Sequence, residues 1–353
     1  MTAGRWFRRL ALLAGLGLAV PHGGAAQSLQ LLTFDQLENW QNDDHLAALR
    51  MFRAGCGRIR GNRYSQAEDW SLPCAAASGV LDAPYPARLF FESWFQPALI
   101  SDGSPPQFTA YFEPELPGSR QRTERFRYPL YRPPPEVAGG RRWASRAEIE
   151  TQGLLRGRGL ELVWLDDPVD AFYVHVQGSA RIRLPDGSLI RIAFAGRNGY
   201  PFQSAARELI RIGVLSPNNA TPDGLKQWVR ANPGRGEAAL LHNPSYIFFR
   251  EIQLDPSLGP IGAFQVPLTA MRSIAVDPRY IPLGAPVWLE MNAGGESLRS
   301  LMLAQDTGSD VRGAQRADIY FGEGAEIGLR AGVIRYGGRA ITLLPRAAAA
   351  RLQ

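Results

Sequence analysis

The sequence predicts an α+β protein, mainly β with peripheral helices, and three observations carry that prediction. From Tyr246 onward, short apolar runs are separated by Pro and Gly with few helical patterns between them, the texture of a compact β-barrel rather than a parallel sheet. Between Phe172 and Phe194, alternating residues flank Pro185-Asp186-Gly187-Ser188, a hairpin signal. Helical spacing dominates only from Leu31 to Ile100.

In that first stretch Thr33 or Asp35 opens a short helix, Asp43 or Asp44 caps the next, and Leu46, Leu49, Met51 and Phe52 supply its apolar face. A further helix fits Pro86 to Trp94. The run Ser101 to Pro106 is dense in Gly, Pro and Ser and precedes the strand-like Phe108 to Phe112, so a domain crossing is expected there. Tyr128 to Pro135 is extended, and Ser145-Arg146-Ala147-Glu148 is a capping box opening a short helix. Between Phe172 and Phe194 two strands are expected, with Tyr173, His175 and Gln177 on one face of the first. Helices are expected near Ser204 to Ile212 and from Thr221 to Val229, the second with a threonine cap and Pro222 at its first position, stopped by Asn232-Pro233-Gly234. The C-terminal strands fall at Tyr246 to Glu251, Ile274 to Val276, Val287 to Glu290, Ser300 to Ala304, Asp318 to Phe321 and Ala340 to Leu344.

The chain has 353 residues, 45% of them apolar and 20% charged, enough to bury a substantial core. Arg5, Arg8 and Arg9, then the apolar run Leu10 to Val20, then Pro21 and the small residues Gly23 to Ala26 read as an export signal, residues 1–26, cleaved after Ala26. The apolar run is about half the ~20 residues a membrane span requires. Removing three arginines takes the net charge from +6 to +3, too mild to argue for nucleic acid. Export places Cys56 and Cys74 in an oxidising compartment, which favours a disulfide over two free thiols. No cysteine follows the apolar run to receive a lipid, so the exported protein is expected to be soluble. No heptad or long exposed apolar helix argues for assembly, and a monomer is expected.

The chemistry narrows by what is missing. His45, His175 and His242 form no spaced cluster with cysteine or carboxylate, so neither a metal site nor a cofactor is expected. A Ser-His-Asp set has no Gly-x-Ser-x-Gly elbow to support it. Gly322, Gly324 and Gly328 have the wrong spacing for a dinucleotide loop. Asp306-Thr307-Gly308 occurs once, where a pepsin-like monomer needs two such aspartates; Asp306 reads as a carboxylate that ties down turn amides. In Arg316-Ala317-Asp318-Ile319-Tyr320-Phe321-Gly322, alternation places Asp318 and Tyr320 on the face opposite Ala317, Ile319 and Phe321. A carboxyl beside an aromatic ring, on a strand with an apolar reverse face, is a candidate for a raised pKa. The strand pattern equally fits an Asp318 that accepts main-chain hydrogen bonds in a tight barrel.

Ile274-Ala275-Val276-Asp277-Pro278 with Ile281-Pro282-Leu283-Gly284, then Gln305-Asp306-Thr307-Gly308, then Arg316 to Gly322 resemble the three-aspartate domain of cell-wall enzymes. Ala110-Tyr111-Phe112-Glu113-Pro114, Tyr128-Pro129-Leu130-Tyr131, Val176-Gln177-Gly178-Ser179-Ala180, Ala195-Gly196-Arg197-Asn198-Gly199 and Asn243 to Phe249 are similar to the insert domain of the membrane-bound lytic murein transglycosylase A family. The resemblance spans nearly all of the chain after residue 26. It implies a double-psi β-barrel and a second, smaller barrel with a substrate cleft between them. Residues 27–106 and 246–353 would form the first domain and 107–245 the insert.

The resemblance also implies cleavage of the β-1,4 bond between N-acetylmuramic acid and N-acetylglucosamine of peptidoglycan, with a 1,6-anhydro product. Asp318 would be the single catalytic acid and base, Asp306 and Tyr320 would support it, and Tyr111, Gln177, Gly178 and Asn198 become candidate sugar contacts. Periplasmic location, peptidoglycan strands as partner, association with the outer membrane and a place in a cell-wall enzyme complex follow from the same likeness. Two rival readings stay open: a peptidoglycan-binding barrel without catalysis, and a two-carboxylate hydrolase.

Overall fold

The computed structural model describes residues 27–293 and 296–353; the export signal expected at residues 1–26 lies outside them. The strands are β1 (Ser28–Leu31), a small pair β2 (Gly61–Asn62) and β3 (Ser65–Gln66), β4 (Phe95–Ser101), β5 (Gln107–Glu113), β6 (Glu115–Ser119), β7 (Tyr128–Tyr131), β8 (Glu161–Leu165), β9 (Ser179–Arg183), β10 (Leu189–Arg197), β11 (Ile247–Ile252), β12 (Ser273–Val276), β13 (Pro286–Ala293), β14 (Glu296–Asp306), β15 (Arg316–Glu323), β16 (Arg335–Tyr336) and β17 (Gly338–Pro345). A nine-stranded mixed sheet runs β1-β4-β17-β13-β14-β12-β15-β5-β16, and a six-stranded sheet runs β11-β10-β9-β6-β8-β7. As a ladder the large sheet is open. The chain from Arg335 to Pro345 nevertheless pairs first with β5 and then with β13, so the sheet curls until its β5 side meets its middle. That curl is consistent with the double-psi barrel that the resemblance implies.

The N-terminal helices cover the large sheet. Asp44 caps His45–Gly55 by accepting from the Ala47 amide, and Pro84–Trp94 starts on prolines. Their apolar faces bring Phe52 and Phe91 against Phe95 of β4, with the Phe52 and Phe95 rings 5.6 Å apart in an edge-to-face pair. Fully buried Trp288 of β13 extends the same core, its ring 5.1 Å from that of Trp40. Cys56 and Cys74 are disulfide-bonded, joining the end of the first helix to Ser71–Gly79.

Four expectations are corrected. Residues 173–177 are not a strand: they end the helix Pro168–Gln177, which Asp167 caps by accepting from the amides of Val169 and Asp170 and which Gly178 terminates at φ +85°. The alternation of Tyr173 to Gln177 concealed a Pro start and a left-handed Gly stop, and the first strand of the hairpin begins only at Ser179. The strand near Tyr246 pairs with β10 in the small sheet and not with the C-terminal strands. The end of the segment read as helical is strand β4, which pairs with β1 just ahead of that segment. Helices Arg235–Leu240, Ala325–Gly332 and Arg346–Ala350 occupy stretches read as irregular or β.

Candidate active site

Strand β12 is the axis of the site. Its Ala275 registers with Asp306 on the parallel neighbour β14 and with Asp318 on the antiparallel neighbour β15, so two carboxyl-bearing positions flank one small residue. On its other side β15 pairs in parallel with β5, with Asp318 opposite Thr109 and Tyr320 opposite Tyr111. Residues two apart on a strand share a face, and the side chains meet accordingly. The Thr109 hydroxyl donates to Asp318 Oδ1 at 2.6 Å, and the rings of Tyr111 and Tyr320 lie 5.5 Å apart. The Tyr111 hydroxyl reaches across to donate to Asp306 Oδ2 at 2.9 Å.

The two carboxyls differ in how they are held. Asp306 Oδ1 accepts from the main-chain amides of Ala263 and Thr307, each at 2.9 Å, while Oδ2 accepts from Tyr111. This is the turn-tying role read from its Thr-Gly neighbours. Asp318 accepts from Thr109, and among the described residues no main-chain amide donates to it. Both side chains are only partly accessible. Burial raises the Asp318 carboxyl above the ordinary range against the pull of Arg316 and the Thr109 hydrogen bond, and the negative charges of Asp306 and Asp310 push the same way. Burial raises Asp306 as well, opposed by its three donors. Burial and the adjacent Asp306 hold the Tyr111 hydroxyl well above its usual value, so it stays a donor. The arrangement presents one restrained carboxyl and one that, among the described residues, keeps an oxygen free of donors and can carry a proton.

Tyr320 is 1% exposed and its hydroxyl, buried, has no hydrogen-bond partner among the described residues. The loop ahead of β12 is tied to its main chain, the Met271 amide donating to the Tyr320 carbonyl at 2.7 Å. Asp277, the first aspartate of the three motifs, is 1% exposed; burial opposes its ionisation, but Arg279 and the Gly313 amide outweigh that and hold it below the ordinary range. It ties the turn after β12 to the loop before β15.

Gln177 lies at the end of its helix, and its Oε1 accepts from the Phe112 amide of β5 at 3.2 Å, with Gly178 immediately after it. Asn198 does not join this group. It is 0% exposed; its Nδ2 donates to the carbonyls of Ala144 and Pro244, both at 2.8 Å, and its Oδ1 accepts from the Tyr246 amide. With its amide saturated inside the small-sheet half, it has no surface to offer a sugar. Sequence reasoning missed Thr109, whose only signal was its place in a strand-like run; its partnership with Asp318 depends on a parallel register. It also missed Glu113, Arg181, Arg191 and Glu323, which pair where the two sheets adjoin: Arg191 lies 3.0 Å from Glu113 and 3.4 Å from Glu323, and Arg181 bonds both. Among the described residues there is no cluster of His, Cys, Asp and Glu fit for a metal, and no helix long and apolar enough to cross a membrane.

Family models match two segments of this chain, the MltA specific insert domain over residues 107–250 and the 3D domain over residues 272–344. The membrane-bound lytic murein transglycosylase A of Vibrio cholerae is 32% identical over 299 residues, 81% of this chain and 76% of that protein. The Escherichia coli K12 protein of the same name is 31% identical over 309 residues, covering 84% and 80%. Among solved structures, a membrane-bound lytic murein transglycosylase from Agrobacterium tumefaciens superposes with a TM-score of 0.84 at 34% identity, over 92% of this chain and 100% of that one. Escherichia coli MltA with bound chitohexaose gives 0.70 at 26% identity, over 92% and 96%.

Proposed function

The chain belongs to the membrane-bound lytic murein transglycosylase A family, and from that premise we propose that it is a peptidoglycan lytic transglycosylase with Asp318 as its one acid and base. It cleaves the β-1,4 bond between N-acetylmuramic acid and N-acetylglucosamine. Asp318 gives its proton to the departing N-acetylglucosamine oxygen as the bond to the muramoyl anomeric carbon breaks. The resulting carboxylate takes the proton of the muramoyl carbon-6 hydroxyl as that oxygen bonds to the anomeric carbon, giving a 1,6-anhydro end and restoring the acid. Because the nucleophile is part of the substrate, proximity replaces a second activating carboxyl.

The contrast between the two carboxyls carries this reading: Asp306 is tied by three donors, whereas among the described residues Asp318 accepts from Thr109 alone, and burial favours its protonated form. Asp306, Tyr111 and Tyr320 shape the surroundings, and Gln177 with Gly178 borders the glycan path. The chitohexaose of the Escherichia coli structure supports a glycan strand as ligand. Action on peptidoglycan places the protein in the periplasm after export.

Isolated sacculi digested by the parent chain should release 1,6-anhydromuropeptides by mass spectrometry. Asp318→Asn should lower the rate by about 100- to 10,000-fold, the usual worth of a general acid and base. Fragments heavier by one water would make the chain a hydrolase, and undiminished cutting by the variant would end the role assigned to Asp318.

A further inference from the structure

A cavity of about 830 Å³ lies in the small-sheet half, walled by β7, β8 and the helices Arg146–Thr151, Pro168–Gln177 and Arg235–Leu240; neither Asp306 nor Asp318 borders it. Its size is that of a small-ligand site. Tyr128, Trp164 and buried Tyr246 give it aromatic walls. At its rim Arg122, Arg127 and Arg156 are exposed, and among the described residues none has a carboxylate within ion-pair distance. Deeper, Arg146 is 2% exposed, with its guanidinium 5.1 Å from the ring of Phe172 and 4.9 Å from that of Tyr246. It pairs with Glu150 at 2.7 Å and donates to the Ser245 carbonyl, yet its Nε is buried without a partner among the described residues. A guanidinium held on aromatic faces with a donor unused is a costly arrangement for packing alone.

We propose that this cavity is a second ligand site, which takes the acidic peptide carried by the muramoyl residues of murein. The choice of ligand rests on the function proposed above; the choice of chemistry rests on the walls. Glu161 and Glu237 stand in the same cavity as the free arginines, so both signs of charge are displayed. A neutral sugar needs neither sign, and a simple polyanion would meet the two glutamates. A short peptide with carboxylates and a free amino group uses both. His175 lines the cavity too, accepting from the Ile247 amide through Nδ1 at 3.0 Å, which leaves its other ring nitrogen as the donor. The same helix ends at Gln177, bonded to β5, and thus links the cavity to the strand that bears Thr109 and Tyr111.

The test is calorimetric titration of the full exported chain with the tetrapeptide stem freed from sacculi by an amidase, a probe that carries no sugar. Saturable binding is expected, weakened at least tenfold when Arg122→Gln, Arg127→Gln and Arg156→Gln are combined. These side chains are exposed, and chitohexaose, which has no peptide, should bind the triple variant as it binds the parent. Absence of tetrapeptide binding to the parent, or equal affinity in the triple variant, overturns the proposal. The outcome is separable from the catalytic reading: loss of peptide binding in the triple variant together with full cutting by Asp318→Asn would keep the site and remove the mechanism.

Discussion

Asp318 and Asp306 show how one residue type is held in two ways on either side of one strand. Donors decide the difference, since a carboxylate bonded to two amides and a phenol is committed, and one bonded to a single hydroxyl is not. Burial raises the folded-state pKa of Asp318, so the native state holds that proton more firmly than the unfolded chain does. Its contribution to stability is therefore present in acid and lost as pH rises through the folded pKa. Asp318→Asn should melt above the parent at pH 7, with the difference vanishing toward pH 3; a lower melting point at pH 7 would identify Asp318 as a structural acceptor. The activity of the parent should fall along its alkaline limb as that proton is lost. Tyr111→Phe removes a hydrogen bond to a carboxylate, a loss of about 1.5–3 kcal/mol if Asp306 is ionised. Urea unfolding measures it, and a change below a few tenths of a kcal/mol would mean the bond is not formed in solution.

Single elements place these residues. The disulfide Cys56–Cys74 closes a short loop between two helices that cover the large sheet, and on the chain-entropy model it contributes roughly 3 kcal/mol. The Cys56→Ser, Cys74→Ser double variant should lose about that much by denaturant unfolding while retaining the mass spectrum of its digest. The helix Pro168–Gln177 ends where it does because Gly178 takes a left-handed conformation. An alanine there has space for its Cβ but not the backbone preference, and Gly178→Ala should cost about 1–2 kcal/mol. If Gln177 positions β5 through Phe112, that variant should also lose activity, which a fall in kcat at constant fold content would register.

At the scale of the molecule, the glutamates and arginines between the sheets are the coupling worth testing. Glu113 is 0% exposed and lies beside Arg181 and Arg191, which belong to β9 and β10, while Glu323 ends β15. Removing one partner of a buried pair leaves the others uncompensated, typically about 3–5 kcal/mol. Glu113→Ala should approach the lower figure because Glu323 still faces both arginines. Thermal unfolding reads the loss, and a change under about 1 kcal/mol would mean the sheets do not depend on this cluster.

The division between sequence and tertiary structure follows from the range of the forces involved. Caps, proline starts, glycine stops and strand alternation are local, and they made the Asp44 and Ser145 helix starts, the 185–188 turn and the shared face of Asp318 and Tyr320 legible in the chain. Where two local signals competed, as at Tyr173 to Gln177, alternation misled because a helix packed on two sides buries residues on most of its turns. Nothing local specifies that β5 runs parallel to β15, that Thr109 meets Asp318, or that Asn198 is sealed inside. The first two join strands whose facing residues are 209 apart in the chain, and the third joins Asn198 to segments 46 and 54 residues away. The Thr-Gly turn already marked Asp306 as the tied carboxylate; only the strand registers decided that Asp318 flanks the same Ala275 and meets Thr109.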